Sequence, residues 1–295
     1  MTENWTSVFL SGRLDATDFV VINIGYAETQ HHWGNKDISS PFARIYYVQK
    51  GEAIFHLPKG DLIARPGFMY LIPNYMPHSY ECTAGFGVYY LYVFQRIHRQ
   101  TDIFDLYEFP HEVPTIDTMG VLLQGFCHRF PQLNLPTHDA NAFDSHPSFH
   151  DYVQQHMQLE LYERMQLHGL IAIVFSFFMK QGKPKAEVTD PRIAKITEYI
   201  QQHLNEPISI ETLADRACLT NSYLIRSFRN TLGQTPLQYI LQKKIQKAQT
   251  ILLGTDMSVA EVANAVGFHD VSYFIRLFRK NLGFTPQEYR KRLIG

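Results

Sequence analysis

Cysteine is scarce in this chain and poorly placed for bonding. Three residues, Cys82, Cys127 and Cys218, lie far apart, and no CxxC pair occurs. An odd number at such spacing excludes a disulfide framework and a zinc finger from the reading. No basic stretch followed by an apolar one opens the chain, which begins MTENWTSVFLSGRLD, so no secretory signal is expected. Long apolar runs are missing too. The longest, LIAIVFSFFM at 170–179, is about half of the roughly 20 residues that span a bilayer. It reads as a buried or interface helix. These absences point to a cytoplasmic protein in a reducing compartment, with no membrane partner.

Net charge is also nearly absent, at −1 over 295 residues, but the balance is uneven. Residues 1–190 carry 13 Lys+Arg against 20 Asp+Glu (net −7), and residues 191–295 carry 14 against 8 (net +6). A basic third behind an acidic body suits a polyanion-binding module joined to something else. Hydrophobic residues make up 45% of the chain, which excludes global disorder and allows a sizeable core.

From about residue 8 to 100 the chain reads as β-rich. ARIYYVQKGEAIFHL places strand formers on both sides of Lys50-Gly51, and Pro66-Gly67 precedes another apolar run. GVYYLYVFQRI is a further aromatic and β-branched stretch. Short strands separated by Gly and Pro at roughly ten-residue spacing suggest a small barrel or sandwich. No periodicity organises residues 101–147. From Ser148 to Lys180 the period becomes helical. Val153, Met157, Leu161 and Met165 form one series, and Leu167, Leu170, Ile171 and Val174 another. QGKPKAEVTD at 181–190 reads as a linker, and Asp190-Pro191 as a cap with proline at the first helical position.

The C-terminal third repeats itself. SYLIRSFRNTLGQTPLQY starts at Ser222 and SYFIRLFRKNLGFTPQEY at Ser272, and 11 of the 18 positions are identical. Chance would give about one match, so the segment is duplicated. Each copy reads as helix, tight turn, helix. Ser258 with Glu261 forms a capping box at the start of the second copy, whereas Ser209 is followed three residues on by Thr212, leaving that box incomplete. Gly267 suits a left-handed turn residue, and Cys218 holds the matching position in the first copy. On a wheel of about 100° per residue, Ser222, Arg226 and Arg229 share a face opposite Leu224 and Phe228. Ser272, Arg276 and Arg279 stand likewise opposite Phe274 and Phe278. A short helix with an apolar back and an arginine-bearing front suits a DNA recognition helix.

Residues 191–295 resemble the DNA-binding domain of AraC/XylS-family transcription regulators, in TPLQYILQKKIQKAQTILLGTDMSVAEVA and AVGFHDVSYFIRLFRKNLGFTPQEYR. The resemblance implies two helix-turn-helix units joined by a long helix, entering successive major grooves about 34 Å apart. It implies that Asn221, Ser222, Ile225 and Arg226 face base edges in one groove. His269, Asp270, Ser272, Ile275 and Arg276 would do so in the next, with Arg229 and Arg279 on phosphates. RIYYVQKGEAIFHL, PGFMYLIPNYMPHSYEC and YYLYV resemble the family's cupin-like sensor domain, which implies a small-molecule effector such as a sugar. Trp33, Tyr46, His56 and His78 are the effector-site candidates.

The expected fold class is therefore α+β and multidomain: an N-terminal cupin-like β-barrel plus helices, then an all-α domain with two helix-turn-helix motifs. The expected division is 1–147 sensor, 148–180 helical dimerisation segment, 181–190 linker and 191–295 DNA-binding domain. Expected partners are double-stranded DNA, a small-molecule effector, a second copy of the chain and, by family analogy, RNA polymerase. The expected role is that of a transcription activator, with no enzymatic activity and no cofactor. The alternative is a cupin-type metal enzyme with an appended DNA-binding domain, using ligands from His31, His32, Glu52, His56 and His78. QHHWGNKDIS lacks the His-x-His and following glutamate of that motif.

Overall fold

The computed structural model describes residues 19–95, 102–135, 149–185 and 190–294. Eight strands follow one another where β-branched and aromatic residues are dense: β1 (Phe19–Glu28), β2 (Trp33–Ile38), β3 (Ala43–Lys50), β4 (Ala53–Leu57), β5 (Gly60–Ala64), β6 (Phe68–Ile72), β7 (His78–Cys82) and β8 (Gly87–Gln95). Then come α1 (Ile103–Leu106), β9 (Tyr107–Glu108), β10 (Glu112–Pro114), α2 (Met119–Arg129), a 3-10 turn (Pro131–Leu133), α3 (Phe149–Gln158), α4 (Leu161–Gln181) and β11 (Lys183–Pro184). Gly51, between β3 and β4, has φ 71°, and a Cβ there would meet the Phe86 backbone at 2.8 Å. Only glycine fits that turn without strain.

The strands pair antiparallel in a five-stranded sheet, β1-β8-β3-β6-β10, and a four-stranded sheet, β2-β7-β4-β5, with β9 and β11 as a separate small pair. The larger sheet is covered on both faces, so β3 and β8 read as continuous apolar runs rather than as alternation. Ala43, Ile45 and Tyr47 of β3 join the core formed with the helices. Tyr46 points the other way and stacks on Phe55 of β4 at 5.3 Å. Between the two sheets Arg44 is 1% exposed. It donates to the Tyr92 hydroxyl (3.2 Å) and to Ser40 Oγ (2.9 Å), and its guanidinium lies 4.7 Å from the centre of the Tyr92 ring.

The stretch that showed no periodicity contains α2. Met119, Leu123 and Cys127 are buried at i, i+4 and i+8 against the larger sheet. The usual start signals are missing: Thr118 makes no side-chain cap bond, and Gly120 and Gly125 interrupt the helix. Gly120 is the close approach, since a Cβ there would lie 2.7 Å from Gln49 Oε1 and 3.2 Å from the Tyr47 ring.

Helix α4 packs on β1 and β10 and buries Leu167, Leu170, Ile171, Val174, Phe175 and Phe178. The first helical series does not bury in the same way: Leu161 and Met165 are each 66% exposed. The side chains of Val153 and Met157, in that same series, lie outside the described residues. Within 181–190, β11 is paired to β9, and residues 186–189 lie outside the described residues.

The chain divides into two compact units. Of the described residues, 19–135 and 152–185 belong to the first, and 149–151 and 190–294 to the second. The second is all helical: α5 (Pro191–Gln202), α6 (Ile210–Ala217), α7 (Asn221–Leu232), α8 (Pro236–Gly254), α9 (Val259–Ala265), α10 (Val271–Leu282) and α11 (Pro286–Ile294). Local chemistry sets their ends. Asp190 accepts from Arg192 N–H, with Pro191 opening α5. Thr235 with Gln238, Ser258 with Glu261 and Thr285 with Glu288 each make reciprocal capping bonds. Gly233 and Gly283 close α7 and α10 in the left-handed conformation.

Candidate nucleic-acid interface and sensor site

Helices α7 and α10 are the second helices of the two duplicated motifs. Each turns its apolar residues inward: Leu224, Phe228, Phe274 and Phe278 are 0% exposed. Phe228 meets Tyr239 edge-on at 5.6 Å, and Phe278 meets Tyr289 in the same way at 5.4 Å. That packing leaves the opposite faces in solvent. Asn221, Ser222, Arg226 and Arg229 are exposed on the first helix, and Ser272, Arg276 and Arg279 on the second. His269 is exposed in the turn before α10. Ile225 and Ile275 are half-buried, so each offers only part of its side chain to a partner.

Asp270 has a local duty as well. Its Oδ1 accepts the Tyr273 N–H at 2.9 Å and caps α10. In the first copy Thr220, one residue before Asn221, takes that position through Oγ1. The second turn is one residue longer than the first, with Gly267-Phe268-His269-Asp270 where the first has Cys218-Leu219-Thr220. Cys218 adopts the left-handed conformation at φ 53°, and Gly267 has φ 79°. The first copy therefore makes its turn without glycine.

The connecting helix α8 holds the second turn through groups that the sequence reading missed. Lys244, 6% exposed, donates to Gly267 O at 2.9 Å and stands 5.3 Å from the centre of the Phe268 ring. Lys247 donates to Asn205 Oδ1 at 2.6 Å. A Cβ on Gly267 would lie 2.6 Å from both Asn205 O and Lys244 Nζ. Burial lowers the pKa of both lysines, and for Lys244 the neighbouring Lys247 charge adds to it. Arg290 of α11 binds the far end of α8, donating to Leu252 O (2.9 Å), Thr255 O (3.3 Å) and Met257 O (2.6 Å). Lysines spaced along one helix carry no sequence signal for such contacts, because the partners lie tens of residues away.

Of the four effector candidates, Tyr46 and His78 both face inward and His56 does not. Tyr46 and His78 are buried, at 8% and 5% exposure. Tyr46 lies between the two sheets, and His78 shares the inward parity of Tyr80, whose ring meets Phe55. His56 is a correction: it lies on the outer face of the smaller sheet. There it bonds Asp61 at 2.7 Å and approaches Glu81 at 3.7 Å. The Asp61 hydrogen bond, with help from the Glu81 charge, raises its pKa. Period-two geometry forces this, because Phe55 takes the inward position next to it. Trp33 opens β2 opposite Cys82, and its side chain lies outside the described residues. Among the described residues no group of three or more His, Cys, Asp or Glu could hold a metal ion, and no helix is long and apolar enough to cross a membrane.

Comparison with known proteins matches both units. A family model for the AraC-like ligand binding domain matches residues 24–127, and one for a helix-turn-helix domain matches residues 213–292. The uncharacterised HTH-type transcriptional regulator YdeC of Bacillus subtilis is 30% identical over 134 residues, 45% of this chain and 46% of that protein. The xylose operon regulatory protein of Escherichia coli K12 is 27% identical over 128 residues, 43% of this chain and 33% of that protein. The aligned part thus spans less than half the length of these curated relatives. Among solved structures, unsaturated-fatty-acid-bound ToxT of Vibrio cholerae aligns at TM-score 0.53 and 13% identity, covering 92% of this chain and 94% of that one. At that identity the likeness concerns the fold alone. Ligand-binding and helix-turn-helix models each match in their expected place, and the two curated regulators above are similar in sequence over less than half of this chain. The chain belongs to the AraC/XylS family of transcription regulators.

Proposed function

We propose that this chain is a sequence-specific DNA-binding transcription regulator whose activity responds to a small molecule. The observation that carries the reading is the matched pair of solvent-facing Ser-Arg-Arg faces on α7 and α10, each backed by two fully buried side chains. Arg226 and Arg276 read base edges, since a guanidinium can bond guanine O6 and N7 together. Asn221, Ser222, His269 and Ser272 flank them, and Ile225 and Ile275 offer methyl contacts. Arg229 and Arg279, a turn further on, bind phosphates. Asp270 shapes the start of α10 and reads a base only with the part of its carboxylate left free by Tyr273.

Residues 1–147 form the sensor, and 191–295 the DNA-binding domain. The name of the Escherichia coli relative favours a sugar as effector. The segment 148–180 supplies the dimer contact: Leu161, Tyr162, Met165 and Ile173 leave an apolar face exposed on α4. Effector binding shifts how the two DNA-binding domains are presented to a promoter, and activation through RNA polymerase follows by analogy with the family.

The test is selection of a binding site from random DNA, followed by fluorescence anisotropy. Arg226→Ala and Arg276→Ala should each weaken the selected site by about 1–3 kcal/mol and relax preference at one position. Arg229→Ala should weaken all sequences alike and flatten the salt dependence by about one unit of log–log slope. Unchanged affinity in both Arg226→Ala and Arg276→Ala would refute the assignment. Light scattering of Met165→Glu against the parent chain tests the dimer contact.

A further inference from the structure

A cavity of about 580 Å³ lies between α2 and the helix-facing side of β1, β3 and β8. It is on the opposite side of the larger sheet from Tyr46 and Arg44, so it is not the space between the two sheets. Its volume falls within the range of small-molecule sites.

Two features of its lining define what it could hold. The first is an aromatic wall from Tyr26, Tyr47 and Tyr89, with the Tyr26 and Tyr89 ring centres 4.8 Å apart and those of Tyr47 and Tyr89 6.2 Å apart. Ring faces carry the negative side of the aromatic quadrupole, so they favour weakly positive C–H edges. The second is a set of amides. Gln49 and Gln124 are exposed at the lining, and Asn134 joins them. The Asn134 Oδ1 is shielded from solvent and accepts no hydrogen bond among the described residues. A buried acceptor left in that way costs about 1–3 kcal/mol and calls for a donor. Amides both donate and accept, as hydroxyl groups do.

Charge narrows the class further. Asp117 and His128 line the cavity, and no lysine or arginine does. An anionic ligand would therefore meet that carboxylate with no permanent cation beside it, only the His128 imidazole. The phenols stay protonated: burial, then the Glu28 hydrogen bond, pushes the Tyr26 pKa up to about 12, and burial followed by the Asp117 charge raises that of Tyr47. Gly120 keeps the cavity narrow at one end, where the helix backbone approaches Tyr47 and Gln49.

Building on the reading of the first unit as a ligand-binding domain, we infer that this cleft is a binding site for a neutral, hydroxyl-rich ring, stacked on the three tyrosines and hydrogen-bonded by Gln49, Gln124 and Asn134. It is separate from the space between the sheets. Because α2 forms one wall, an occupant would tie that helix to the sheet and stabilise the unit.

Isothermal titration calorimetry on the full chain tests this with D-glucose, D-xylose and myo-inositol, and with gluconate and glucosamine as charged counterparts. At least one neutral probe should bind saturably, and gluconate should not. The double variant Gln49→Ala, Gln124→Ala should raise that Kd at least about tenfold. Both side chains are exposed, so its melting temperature should match that of the parent. Val121→Trp, on the 71% exposed rim, blocks the cleft by bulk and should weaken binding as well. Failure of all three neutral probes to saturate below about 10 mM overturns the inference. So does an unchanged Kd in both variants, or gluconate binding as tightly as the neutral probes. Because no DNA is present, a chain that binds its DNA site but ignores every probe refutes this inference and leaves the DNA reading standing.

Discussion

The two helix-turn-helix copies build the same shape by different means. The second uses a complete capping box at Ser258 and Glu261, an Asp270 cap and a glycine in its turn, and that glycine is packed against Asn205 and Lys244. The first uses Ser209 without a box partner, a Thr220 cap and an exposed cysteine held at φ 53°. What survives duplication is the apolar back and the arginine face. The turn chemistry can drift because the packed core holds each turn in place, so a strained residue costs stability without changing the path of the chain.

The largest expected effect probes those cores. Phe228→Ala and Phe278→Ala should each cost about 3–5 kcal/mol in chemical denaturation. Hydrogen exchange should show the loss concentrated in the copy that was changed. Simultaneous loss in both would replace two cores with one.

Next comes the turn. Gly267→Ala adds a Cβ at 2.6 Å from a backbone oxygen in a left-handed conformation, and should cost more than the roughly 1–2 kcal/mol of that conformation alone. Gly233→Ala, also left-handed but with nothing within 4 Å, should stay within that range. Equal thermal shifts for the two would show that the contact with Asn205 and Lys244 is without energetic weight.

Cys218→Gly should act in the opposite direction and stabilise the first copy by about 0.5–1 kcal/mol. Relief of the left-handed strain is partly offset by the greater freedom of glycine in the unfolded chain. A lower melting temperature would mean that the cysteine side chain packs more favourably than its exposure suggests.

The smallest difference is in pH response. The second copy caps with Glu261 and Glu288, where the first has Thr212 and Gln238. Hydrogen bonds from Ser258 and Thr285 hold the two carboxylates below their ordinary value of 4.5. Glu211 of the first copy is lowered as well, through backbone and Ser209 hydrogen bonds. A depressed carboxylate pKa adds stability above the unfolded value, and that stability is lost as pH falls through the folded value. Helices α9 and α11, and α6 through Glu211, should therefore fray before α8, whose Gln238 cap does not titrate, on acidification below about pH 4.5, read by amide signals. The reverse order would contradict the capping assignment.

Legibility followed the range of the interactions. The side-chain caps in the second unit join residues two or three apart, and the buried faces of α7 and α10 follow from a 3.6-residue period. Those features, and the strands flanking Lys50-Gly51, were readable in the chain. Helix α2 was not, because it lacks a cap bond and contains two glycines; it exists because the larger sheet offers Met119, Leu123 and Cys127 a place to bury.

The chain alone thus determined its duplicated arginine-faced helices, their ends and the β-rich character of residues 19–95, since each depends on neighbours within a turn or a hairpin. The folded structure alone decided which side of a strand is inside. It placed His56 outside and Tyr46 within, set Lys244 against Gly267, and opened a tyrosine-walled cleft beneath α2. Those outcomes depend on which distant segments pack together, and packing partners are chosen by the whole core rather than by any local run of residues.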